Sequence, residues 1–450
     1  MPARVFAAVD LGASGGRVMA GVVDSGRVGL HEVHRFPNGP VERDGHLRWD
    51  FARLQAEVVA GLERVQGAES VGIDAWGVDY GLLDDDGNLL ADPVSYRDDR
   101  TAKAVDEVHA IVPPEELYAA TGAQIMPLNT VYQLAADRGG PIWPRVARVL
   151  MMPDLVAFGL TGRPGWELTI ASTTGLLDVS TRQWSVDVLS RLDLSPSLFG
   201  PVEPPGQLRG RTDVGLAVTT VAAHDTASAV VAVPAVTDHF AYVSTGTWSL
   251  VGLELDRPLV TDATRRSNFT NEAGVDGTTR FLRNVAGFWL LQECMRAWGR
   301  DDGNELLEEA ARLGSGGPVV DVDDPAFVPP GDMPERIARA AGTGLEPAAT
   351  VRCIIDSLAF AYARTVRQAA TLAHTTVDVI HMVGGGCRND LLCQLTADAA
   401  GLPVVAGPVE ATALGNVVVQ GRAHGALTGS LEAIRAGIAR TTHLRRYEPS

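Results

Sequence analysis

The sequence predicts an α/β protein built from two similar lobes. The chain has 450 residues, which is enough for two or three domains and a large core. Residues 5–24 and 239–256 each contain an apolar strand, a turn of small residues, and a second apolar strand that ends in Asp. A helical pattern over Cys353–Ala373 precedes an apolar strand at Val377–Val383 and three glycines, which is an α/β succession. Because the two strand–turn–strand segments lie about half a chain apart, they favour a duplicated architecture over chance similarity.

Further elements follow in an order that suits two such lobes. A helical pattern over Arg53–Val65 leads into a buried strand at Ser70–Trp76, and Leu216–Ala222 predicts another buried strand. The strand Tyr80–Leu83 runs into the acidic turn 84–88, which is a hairpin signal. A helix is expected from Asn389 onwards, and loops are expected in two stretches rich in Pro and Gly, 201–212 and 315–349.

The boundary between the lobes is predicted near Val233–Asp238, just before the second strand–turn–strand segment begins. Residues 1–235 would then form an N-terminal lobe, and residues 236–450 a C-terminal lobe of similar length. Two lobes agree with the lower end of the range that the chain length allows.

The charge balance excludes two classes of partner. Lys and Arg number 38 and Asp and Glu number 55, which gives a net charge of −17. A chain this acidic lacks the clustered cations that bind nucleic acid or an anionic membrane surface, so we expect neither partner. A phosphorylated small ligand is still allowed, because backbone N–H groups and a metal ion can hold phosphate.

The cysteines predict no disulfide framework and no zinc site. Cys294, Cys353, Cys387 and Cys393 form no C-x-x-C pair and have no His at zinc-ligand spacing. We expect reduced thiols packed in the core. The chain also has no apolar run of membrane-spanning length and no signal-peptide pattern at its start, so we expect a cytoplasmic protein.

Two turns of small residues, at equivalent positions of the repeated segments, are candidate phosphate sites. Asp10 ends the first strand and could hold a metal ion or its water, while residues 12–16 let backbone N–H groups approach an anion. The equivalent turn, 244–247, carries three hydroxyls around one glycine. Each turn alone is equally well an ordinary hairpin, but two of them could hold one phosphate chain from both sides.

Three other segments carry candidate ligand-binding residues, each with a structural alternative. Glycines 384–386 offer a surface without side chains to an adenine or ribose, or form only a strand-to-helix turn. Asp74, Trp76 and Gly77 end a buried strand, where a ring and a carboxylate suit a polyol, although core packing explains Trp76 equally well. Asp225 could accept a proton from a substrate hydroxyl, but local sequence favours a helix N-cap.

Ten segments, in order, resemble the FGGY carbohydrate kinases over nearly the whole chain. They are AVDLGASGGRVM (8–19), HEVHRFPNG (31–39), GIDAWGVDYGLLD (72–84), YRDDRT (96–101), LMMPDL (150–155), HDTASAV (224–230), STGTWSLVG (244–252), RNVAGFWLLQ (283–292), VGGGCRNDLL (383–392) and AGPVEATALGN (406–416). The resemblance implies an α/β fold of two actin-like (ribonuclease-H-like) ATPase lobes with an interlobe active-site cleft. It also implies that the N-terminal lobe binds sugar and carries the catalytic base, and that the C-terminal lobe binds nucleotide.

The resemblance assigns roles to individual positions. Asp225 is expected to be the catalytic base, and Asp10 to hold Mg²⁺ through water. The expected ATP contacts are Ala13, Ser14, Gly15, Gly16, Arg17, Thr247, Gln292 and Gly385. The expected sugar contacts are Gly77, His224, Asp225, Thr226 and Asn284. For Asn284 and Gln292, capping or surface exposure is the structural alternative.

The activity that the resemblance implies is ATP-dependent phosphorylation of a small ketose. The leading hypothesis is transfer to the 1-hydroxyl of L-rhamnulose in L-rhamnose breakdown, by a monomer or homodimer. Another ketose such as L-fuculose is the near alternative, because specificity rests on a few hydrogen bonds. A non-catalytic sugar or nucleotide sensor on the same fold is the alternative from a different class, and it would require loss of Asp225 or Asp10, both of which are present.

Three positions depart from the family pattern. Gly15 stands where relatives have Ser, and Ala223 and Thr245 replace residues that are usually Ser. All three are small residues beside the motifs, and none removes a proposed catalytic group. They bear on the fine geometry around ATP rather than on activity itself.

Overall fold

Strands and helices alternate along most of the chain in the computed structural model, which describes residues 2–300, 303–314 and 316–450. The strands are β1 (Arg4–Gly12), β2 (Gly15–Asp24), β3 (Arg27–Pro37), β4 (Val41–Arg43), β5 (His46–Arg48), β6 (Ala68–Ala75), β7 (Tyr80–Leu83), β8 (Arg148–Met151), β9 (Trp166–Glu167), β10 (Val202–Glu203), β11 (Leu208–Arg211), β12 (Ala217–Thr219), β13 (Phe240–Thr245), β14 (Trp248–Leu255), β15 (Thr270–Ala273), β16 (Thr279–Ala286), β17 (Val379–Val383), β18 (Val404–Ala406) and β19 (Arg445–Tyr447). The α-helices are α1 (Phe51–Leu62), α2 (Ala104–Ile111), α3 (Pro114–Thr121), α4 (Thr130–Asp137), α5 (Met152–Thr161), α6 (Leu168–Ala171), α7 (Val186–Arg191), α8 (Asp225–Val231), α9 (Asp262–Arg266), α10 (Trp289–Ala297), α11 (Asn304–Arg312), α12 (Met333–Ala341), α13 (Pro347–Ala373), α14 (Asp390–Ala400), α15 (Ala411–Ala423) and α16 (Leu431–Thr441). Within the described residues, no helix is both long enough and apolar enough to cross a membrane.

The chain folds into two compact units, each with a sheet at its centre. The first unit contains the chain up to Val236 together with Glu254–Phe281 and Ala411–Thr441. The second contains Thr237–Leu253, Leu282–Glu410 and Thr442–Ser450. Two segments from the second half of the sequence therefore fold with the first half. The assignment of sugar binding to residues 1–235 and nucleotide binding to residues 236–450 stays a prediction.

The sheet of the first unit has the strand order β11-β12-β6-β1-β2-β3. Strand β1 lies at its centre, antiparallel to β2 on one side and parallel to β6 on the other. In this register Asp10 is opposite Arg17 of β2 and Asp74 of β6. The carboxyl ends of β1 and β6 thus meet at one edge of the sheet, which is where α/β proteins bind their ligands.

A second sheet repeats this arrangement around β13, and its strand order is β15-β16-β14-β13-β17-β18-β19. Strand β13 is antiparallel to β14 and parallel to β17, as β1 is to β2 and β6. Ser244, which aligns with Asp10 in the sequence repeat, is opposite Leu250 of β14 and Val383 of β17. The predicted repeat of strand, turn and strand is therefore confirmed.

Helix α15 covers the sheet of the first unit and brings its polar face against β6. Gln420 donates to the carbonyl of Ala7 at 2.8 Å and to Oδ1 of Asn416 at 2.7 Å, and its Oε1 accepts from Ser70 at 2.5 Å. A Cβ on Gly72 would lie 2.5 Å from Oδ1 of Asn416, so a side chain at this strand position would displace the network. The end of the segment AGPVEATALGN (406–416) therefore supports the first sheet through Asn416.

Most of the predicted helices and strands are present, but the two predicted loops contain regular structure. The stretch 201–212 holds β10 and β11, because Arg209 there pairs with the buried carboxylate of Asp154 and β11 joins the sheet edge. The stretch 315–349 holds α12, which begins with Pro334 in its first turn and ends at Gly342 in the left-handed conformation. Pro and Gly mark the two ends of this helix, and the rest of the stretch contains the loops that were predicted there.

The predicted hairpin at the acidic turn 84–88 is only partly formed. Leu83 and Leu89 pair across the turn as a single bridge. The main antiparallel partner of β7 is instead β8, which arrives from a distant part of the sequence. The turn residues correctly predicted that the chain reverses at 84–88. The pairing of β7 with β8 depends on tertiary packing, which the local sequence does not show.

All four cysteines are buried and free, which confirms the predicted reduced thiols. Burial raises the pKa of Cys294 and of Cys393 to about 12, and that of Cys387 to about 11. Thiols with such pKa values stay protonated at neutral pH and are poor nucleophiles.

Helices α8 and α15 meet backbone to backbone at Gly415, and this contact yields a stability prediction. A Cβ on Gly415 would lie 1.8 Å from the carbonyl oxygen of Ser228 in α8. We expect Gly415→Ala to force the helices apart and to cost about 1–3 kcal/mol or more in thermal and urea unfolding. The matched control is Gly437→Ala in α16, where a Cβ meets only the tip of Arg440 at 4.0 Å and should stabilise the protein by about 0.5–1 kcal/mol. Equal effects of the two substitutions would contradict the packing described.

Candidate active site

Three carboxylates come together in the first unit at the carboxyl ends of its parallel strands. Asp10 ends β1 and Asp74 lies beside it in β6. One residue beyond Asp74, the backbone N–H of Ala75 donates to the carbonyl of Ala223 at 2.9 Å, which places Asp225 at the same edge. Concentrated negative charge of this kind costs folding free energy, and it is typical of a functional site.

The turn after β1 is held in place by groups from β2 and from the segment after β3. Both Nε and Nη2 of Arg17 lie within hydrogen-bond reach of Oδ2 of Asp10, at 2.8 and 2.7 Å. The side-chain amide of Asn38 donates to the carbonyl of Gly12 at 2.9 Å. The turn formed by Ala13 and Ser14 is therefore fixed on both sides, as a phosphate-binding turn needs to be.

Packing requires glycine at one of the two glycine positions of this turn, but not at the other. A Cβ on Gly16 would lie 2.3 Å from the ring of Phe36, so glycine is required there by packing. A Cβ on Gly15 would meet only the carbonyl of Phe36, at 3.5 Å, which is an ordinary contact. The serine that relatives carry at the position of Gly15 would therefore fit this backbone.

Asp74 is completely buried and has an unusual hydrogen-bonding environment. Its Oδ2 accepts from Nδ2 of Asn416 at 2.6 Å, while its Oδ1 has no hydrogen-bond partner within the described residues. Burial, and next the charge of Asp10, raise the pKa of Asp74 well above its ordinary value, and the hydrogen bond from Asn416 opposes them only in part. A buried carboxyl with an unpaired oxygen lowers the stability of the folded protein. Because it is fully buried, Asp74 belongs to the cluster of three carboxylates and does not form part of an exposed sugar-binding surface.

Asp225 is the first residue of α8, and the N-cap position belongs to His224. The N-cap interpretation of Asp225 is therefore wrong by one position. Its Oδ1 accepts from the backbone N–H of Thr226 at 2.5 Å and from the Thr226 hydroxyl at 3.2 Å. No donor among the described residues reaches its Oδ2, and about a third of the side chain is exposed. Burial, partly offset by His224, raises the pKa of Asp225, which favours proton uptake.

The site offers oxygen ligands of the kind that Mg²⁺ prefers. Asp10 and Asp225 are carboxylates, and Oδ1 of Asp74 is an unpaired buried oxygen. In the described part of the chain, no group of three or more His, Cys, Asp or Glu residues is arranged to enclose a metal ion. Mg²⁺ commonly keeps several waters and needs only one or two carboxylates, so these residues fit the ion in that mode.

His224 lies between Asp225 and a buried ion pair. Its Nε2 is 3.4 Å from Oδ1 of Asp225. Its Nδ1 is 3.2 Å from Oε2 of Glu272 and 3.2 Å from Nη2 of Arg280. Glu272 and Arg280 are themselves paired at 2.9 Å, and Arg280 has no exposed surface. His224 is thus tied into the core on one side and faces Asp225 on the other.

Glu167 fixes the backbone that leads into α8. Its Oε2 accepts from the N–H of Ala223 at 3.1 Å, and from Thr169 and Ile170 at the start of α6. The hydroxyl of Thr169 in turn accepts from the N–H of His224 at 3.2 Å. Glu167 is fully buried, and burial raises its pKa to about 7. The side chain of Ala223 faces the core, so the alanine that stands there in place of serine removes no ligand contact.

The segment after β6 is rigid and strained. Val78 has a φ of 69°, a conformation that costs a β-branched residue free energy and persists only where its surroundings impose it. Its N–H donates to the hydroxyl of Thr173 at 3.3 Å, and its carbonyl accepts from Thr130 at 2.7 Å. Gly77 packs on Thr173 as well, since a Cβ there would lie 3.2 Å from Oγ1 of Thr173. The backbone of Gly77 is therefore held in one position.

Trp76 is a core residue and does not offer a ring face to a sugar. It is almost fully buried, its ring lies 4.3 Å from that of Trp49, and the two indole N–H groups donate to Oδ2 of Asp79 at 3.0 and 2.7 Å. Burial raises the pKa of Asp79 to about 6. Of the three residues at this strand end that could contact a polyol, only Gly77 is still available, through its backbone.

The equivalent turn in the second unit is tied to the start of α10. The carbonyls of Gly246 and Thr247 accept from the N–H groups of Phe288 and Trp289 at 3.0 and 3.2 Å. A Cβ on Gly287 would lie 2.6 Å from the carbonyl of Gly246, so this close approach requires glycine. Thr247 is half-buried, whereas the hydroxyl of Thr245 donates to the carbonyl of Val383 at 2.9 Å. The threonine that replaces serine at 245 therefore supports the sheet.

The three glycines after β17 have two different roles. Gly384 has a φ of 85°, and a Cβ on it would lie 2.6 Å from the carbonyl of Thr245. A Cβ on Gly386 would lie 2.4 Å from the ring of Phe288. Gly385, between them, is exposed, and a Cβ on it would meet no atom within 4 Å. Packing explains the outer two glycines, and only Gly385 presents an open backbone surface.

Asn284 and Gln292 also lie in the second unit. Asn284 is half-buried in β16, and Gln292 is half-buried in the second turn of α10. Four of the five expected sugar contacts, Gly77, His224, Asp225 and Thr226, lie in the first unit, while Asn284 lies in the second. The roles of these residues stay predictions.

Several residues that build the site were not selected from the sequence: Asn38, Glu167, Glu272, Arg280 and Asn416. Asn38 and Asn416 lie inside segments that carry the family resemblance, so position in a motif was an available signal. Glu272 and Arg280 lie in ordinary strands, and no local pattern marks a residue that becomes functional only through a distant contact.

Comparison with known proteins agrees with this architecture. The family model described as the N-terminal domain of the FGGY family of carbohydrate kinases matches residues 6–232, and the C-terminal domain model matches residues 241–424. A rhamnulokinase of Bacteroides thetaiotaomicron is 40% identical over 464 residues, covering 99% of this chain and 96% of its own. A rhamnulokinase of Bacillus subtilis is 39% identical, covering 92% of this chain and 90% of its own.

Solved structures support the fold independently. The gluconate kinase of Lactobacillus acidophilus matches with a TM-score of 0.80 at 15% identity, over 100% of this chain and 94% of that one. The glycerol kinase of Plasmodium falciparum, solved with ADP, matches with a TM-score of 0.78 at 14% identity, over 99% of this chain and 94% of that one. The chain belongs to the FGGY family of carbohydrate kinases. The predicted actin-like α/β fold and the predicted phosphotransferase class are confirmed.

The raised pKa of Glu167 predicts a pH dependence of stability. A carboxyl with a pKa of about 7 in the folded protein and an ordinary value of 4.5 binds more protons when folded across that range. Its contribution to stability is therefore full below pH 4.5 and is lost as the pH rises through 7. Relative to Glu167→Gln, which stays neutral, the unfolding free energy of the natural protein should fall by up to about 3 kcal/mol over this range in urea titrations at several pH values. A difference between the two proteins that is constant with pH would contradict the prediction.

Proposed function

We propose that this chain transfers the γ-phosphoryl group of ATP to the 1-hydroxyl of L-rhamnulose. The observation that carries the proposal is Asp225, whose Oδ1 is held by Thr226 while its Oδ2 has no donor among the described residues. A carboxylate oriented in this way suits a base that positions and deprotonates an alcohol. The choice of sugar is supported by the rhamnulokinases that are about 40% identical over nearly the full chain.

In the proposed reaction, Asp225 accepts the proton of the 1-hydroxyl at Oδ2. The sugar oxygen then attacks the γ-phosphorus in line, and ADP leaves. Oδ1 is occupied by the hydrogen bonds from Thr226 and lies 3.4 Å from Nε2 of His224, so only one carboxylate oxygen is available to the substrate. This orientation is the main contribution that a protein makes to phosphoryl transfer, since little covalent chemistry is required of it.

The two turns of small residues are the proposed phosphate contacts. Backbone N–H groups of Ala13, Ser14, Gly15 and Gly16, together with Arg17, would bind the phosphates, and Thr247 would contribute a further phosphate contact. Asp10 would hold Mg²⁺ through water. The ion, when bound, neutralises charge on the phosphates that the acidic chain itself does not balance.

The remaining proposed contacts complete the two substrates. Gly385 and Gln292 would bind the nucleotide, and the open backbone of Gly385 suits a flat base or ribose. Gly77, His224, Asp225, Thr226 and Asn284 would bind the ketose. We further infer a small-molecule ketose as the only substrate besides ATP, a cytoplasmic location, no nucleic acid or membrane partner, and a monomer or homodimer.

A panel of purified ketoses with ATP and Mg²⁺, followed through ADP release, tests the choice of substrate. We expect the highest kcat/KM with L-rhamnulose and a lower value with L-fuculose, because the two sugars would use different hydrogen bonds in the same site. If L-fuculose ranks first, the kinase assignment stands and the sugar changes. If no ketose is turned over by folded protein, a sensor on the same fold becomes the better explanation.

Replacing the base tests its role directly. We expect Asp225→Asn to lower kcat with L-rhamnulose by about 10²–10⁴-fold, because the hydroxyl loses its proton acceptor while the amide keeps the shape of the side chain. Circular dichroism and the melting temperature would verify the fold. Asp213→Asn, on an exposed turn of the same unit, is the control and should retain full activity. Turnover near the natural rate by folded Asp225→Asn would remove Asp225 from this role.

Gly385 provides a test of the nucleotide contact. Its φ is outside the left-handed region and a Cβ would meet no protein atom, so Gly385→Ala should leave the melting temperature unchanged. We expect it to raise the KM for ATP severalfold, because the methyl group would occupy the surface proposed for the nucleotide. Gly344→Ala, equally open and in the same unit, is the control that should change neither quantity. Equal ATP kinetics for the two variants would argue against a contact at Gly385.

A further inference from the structure

The orientation of His224 depends on a buried residue to which no role has so far been assigned. We infer that Arg280 is a positioning residue that holds His224 as the neutral tautomer with its proton on Nε2, so that this N–H faces Oδ1 of Asp225. The inference rests on the proposed role of Asp225 as the base. It deepens that role by naming the group that determines which carboxylate oxygen is left for the substrate.

The first observation is the burial and anchoring of Arg280. The residue has no exposed surface, and its Nε donates to the carbonyl of Ala273 at 3.1 Å. Its Nη2 lies 2.9 Å from Oε2 of Glu272, which balances the guanidinium charge. Burial alone would raise the pKa of Glu272, but the charge of Arg280, the largest opposing cause, holds that pKa below its ordinary value. The pair is therefore ionised, and the guanidinium is fixed in one place.

The second observation concerns the inner nitrogen of the imidazole. Nη2 of Arg280 is 3.2 Å from Nδ1 of His224 in hydrogen-bonding geometry. A guanidinium can only donate, so Nδ1 must accept and carries no proton in this contact. Glu272 is a competing partner for Nδ1, at 3.2 Å, but its Oε2 makes no hydrogen bond among the described residues. The geometry therefore favours Arg280 over Glu272 as the partner of the ring.

The third observation concerns Nε2 of His224, the ring nitrogen that faces Asp225. A neutral imidazole with an accepting Nδ1 has its proton on Nε2. Nε2 lies 3.4 Å from Oδ1 of Asp225, the same oxygen that accepts from the backbone and hydroxyl of Thr226. Oδ1 then accepts two hydrogen bonds from Thr226, and the Nε2–H of His224 faces the same oxygen. Oδ2 stays available for the substrate. Because the imidazole of His224 is neutral, it does not lower the proton affinity of Asp225 as a cationic neighbour would.

Nuclear magnetic resonance of ¹⁵N-labelled histidine reads the tautomer directly. In the natural protein at neutral pH, the signals that disappear in His224→Gln identify His224 among the ten histidines. We expect them to show a protonated Nε2 and an unprotonated Nδ1. A proton on Nδ1, which would point to Glu272, or a doubly protonated ring would overturn the inference. This measurement requires no turnover, so its outcome is separate from that of the proposed activity.

A variant that removes both members of the ion pair tests the role of Arg280. Breaking a buried pair by one substitution leaves an uncompensated charge, so Arg280→Met is combined with Glu272→Gln to keep the charge balance. We expect the tautomer of His224 to shift or become mixed, and kcat for the ketose to fall about 10–100-fold with little change in the KM for ATP. The matched control is Arg352→Met combined with Asp356→Asn, which removes a buried ion pair of the second unit. In that control, the Nε2–H tautomer of His224 and kcat for the ketose should both be unchanged.

Two results of this comparison would contradict the inference. One is an unchanged Nε2–H tautomer in the double variant. The other is a loss of kcat equal to that of the control, because the loss would then report general destabilisation. If the double variant does not fold, the single variant Glu272→Gln keeps Arg280 as the donor to Nδ1, and we expect it to retain the Nε2–H tautomer. A shifted tautomer there, in folded protein, would assign the ring's orientation to Glu272.

Discussion

The pairing of two parallel strands fixes the position of every group in the proposed reaction centre of the first unit. Because β1 and β6 run in register, Asp10 and Asp74 lie side by side at the edge where both strands end. The end of the same strand, β6, pairs with the backbone that carries Asp225, through a parallel bridge between Ala75 and His224. Burying carboxylates together is unfavourable, so the surrounding residues must stabilise an arrangement that folding alone would avoid.

That stabilisation comes from residues distant in the sequence. Asn416 donates to Asp74, and Gln420 fixes the orientation of the Asn416 amide. Glu167 holds the backbone before α8, and the pair of Glu272 and Arg280 holds the ring next to Asp225. Each of these groups has its partner in another segment of the first unit. The site is therefore a product of how the unit folds, and not of one motif.

The sequence was sufficient for the class of fold, the repeated hairpins and the main candidate residues, because strand–turn–strand patterns and the family segments are local features. It left open whether Trp76 lies in the core, and it favoured Asp225 as a helix N-cap, whereas Asp225 begins the helix. Both depend on packing: the indole N–H of Trp76 is bound by Asp79, and His224 occupies the cap position. Arg280 and Glu272 could not be found, since nothing in their own strands distinguishes them before the chain folds.

Identification of the phosphorylated product tests the central claim most directly. In L-rhamnulose only C1 carries a primary hydroxyl, so a phosphate on O1 has two neighbouring hydrogens, a phosphate on a secondary hydroxyl has one, and a phosphate on the anomeric oxygen at C2 has none. After incubation with ATP, Mg²⁺ and L-rhamnulose, ³¹P spectroscopy should show ADP and a phosphate ester in equal amounts, with the ester signal split by two hydrogens. ADP formation without an ester, or an ester split by one hydrogen, would contradict the account.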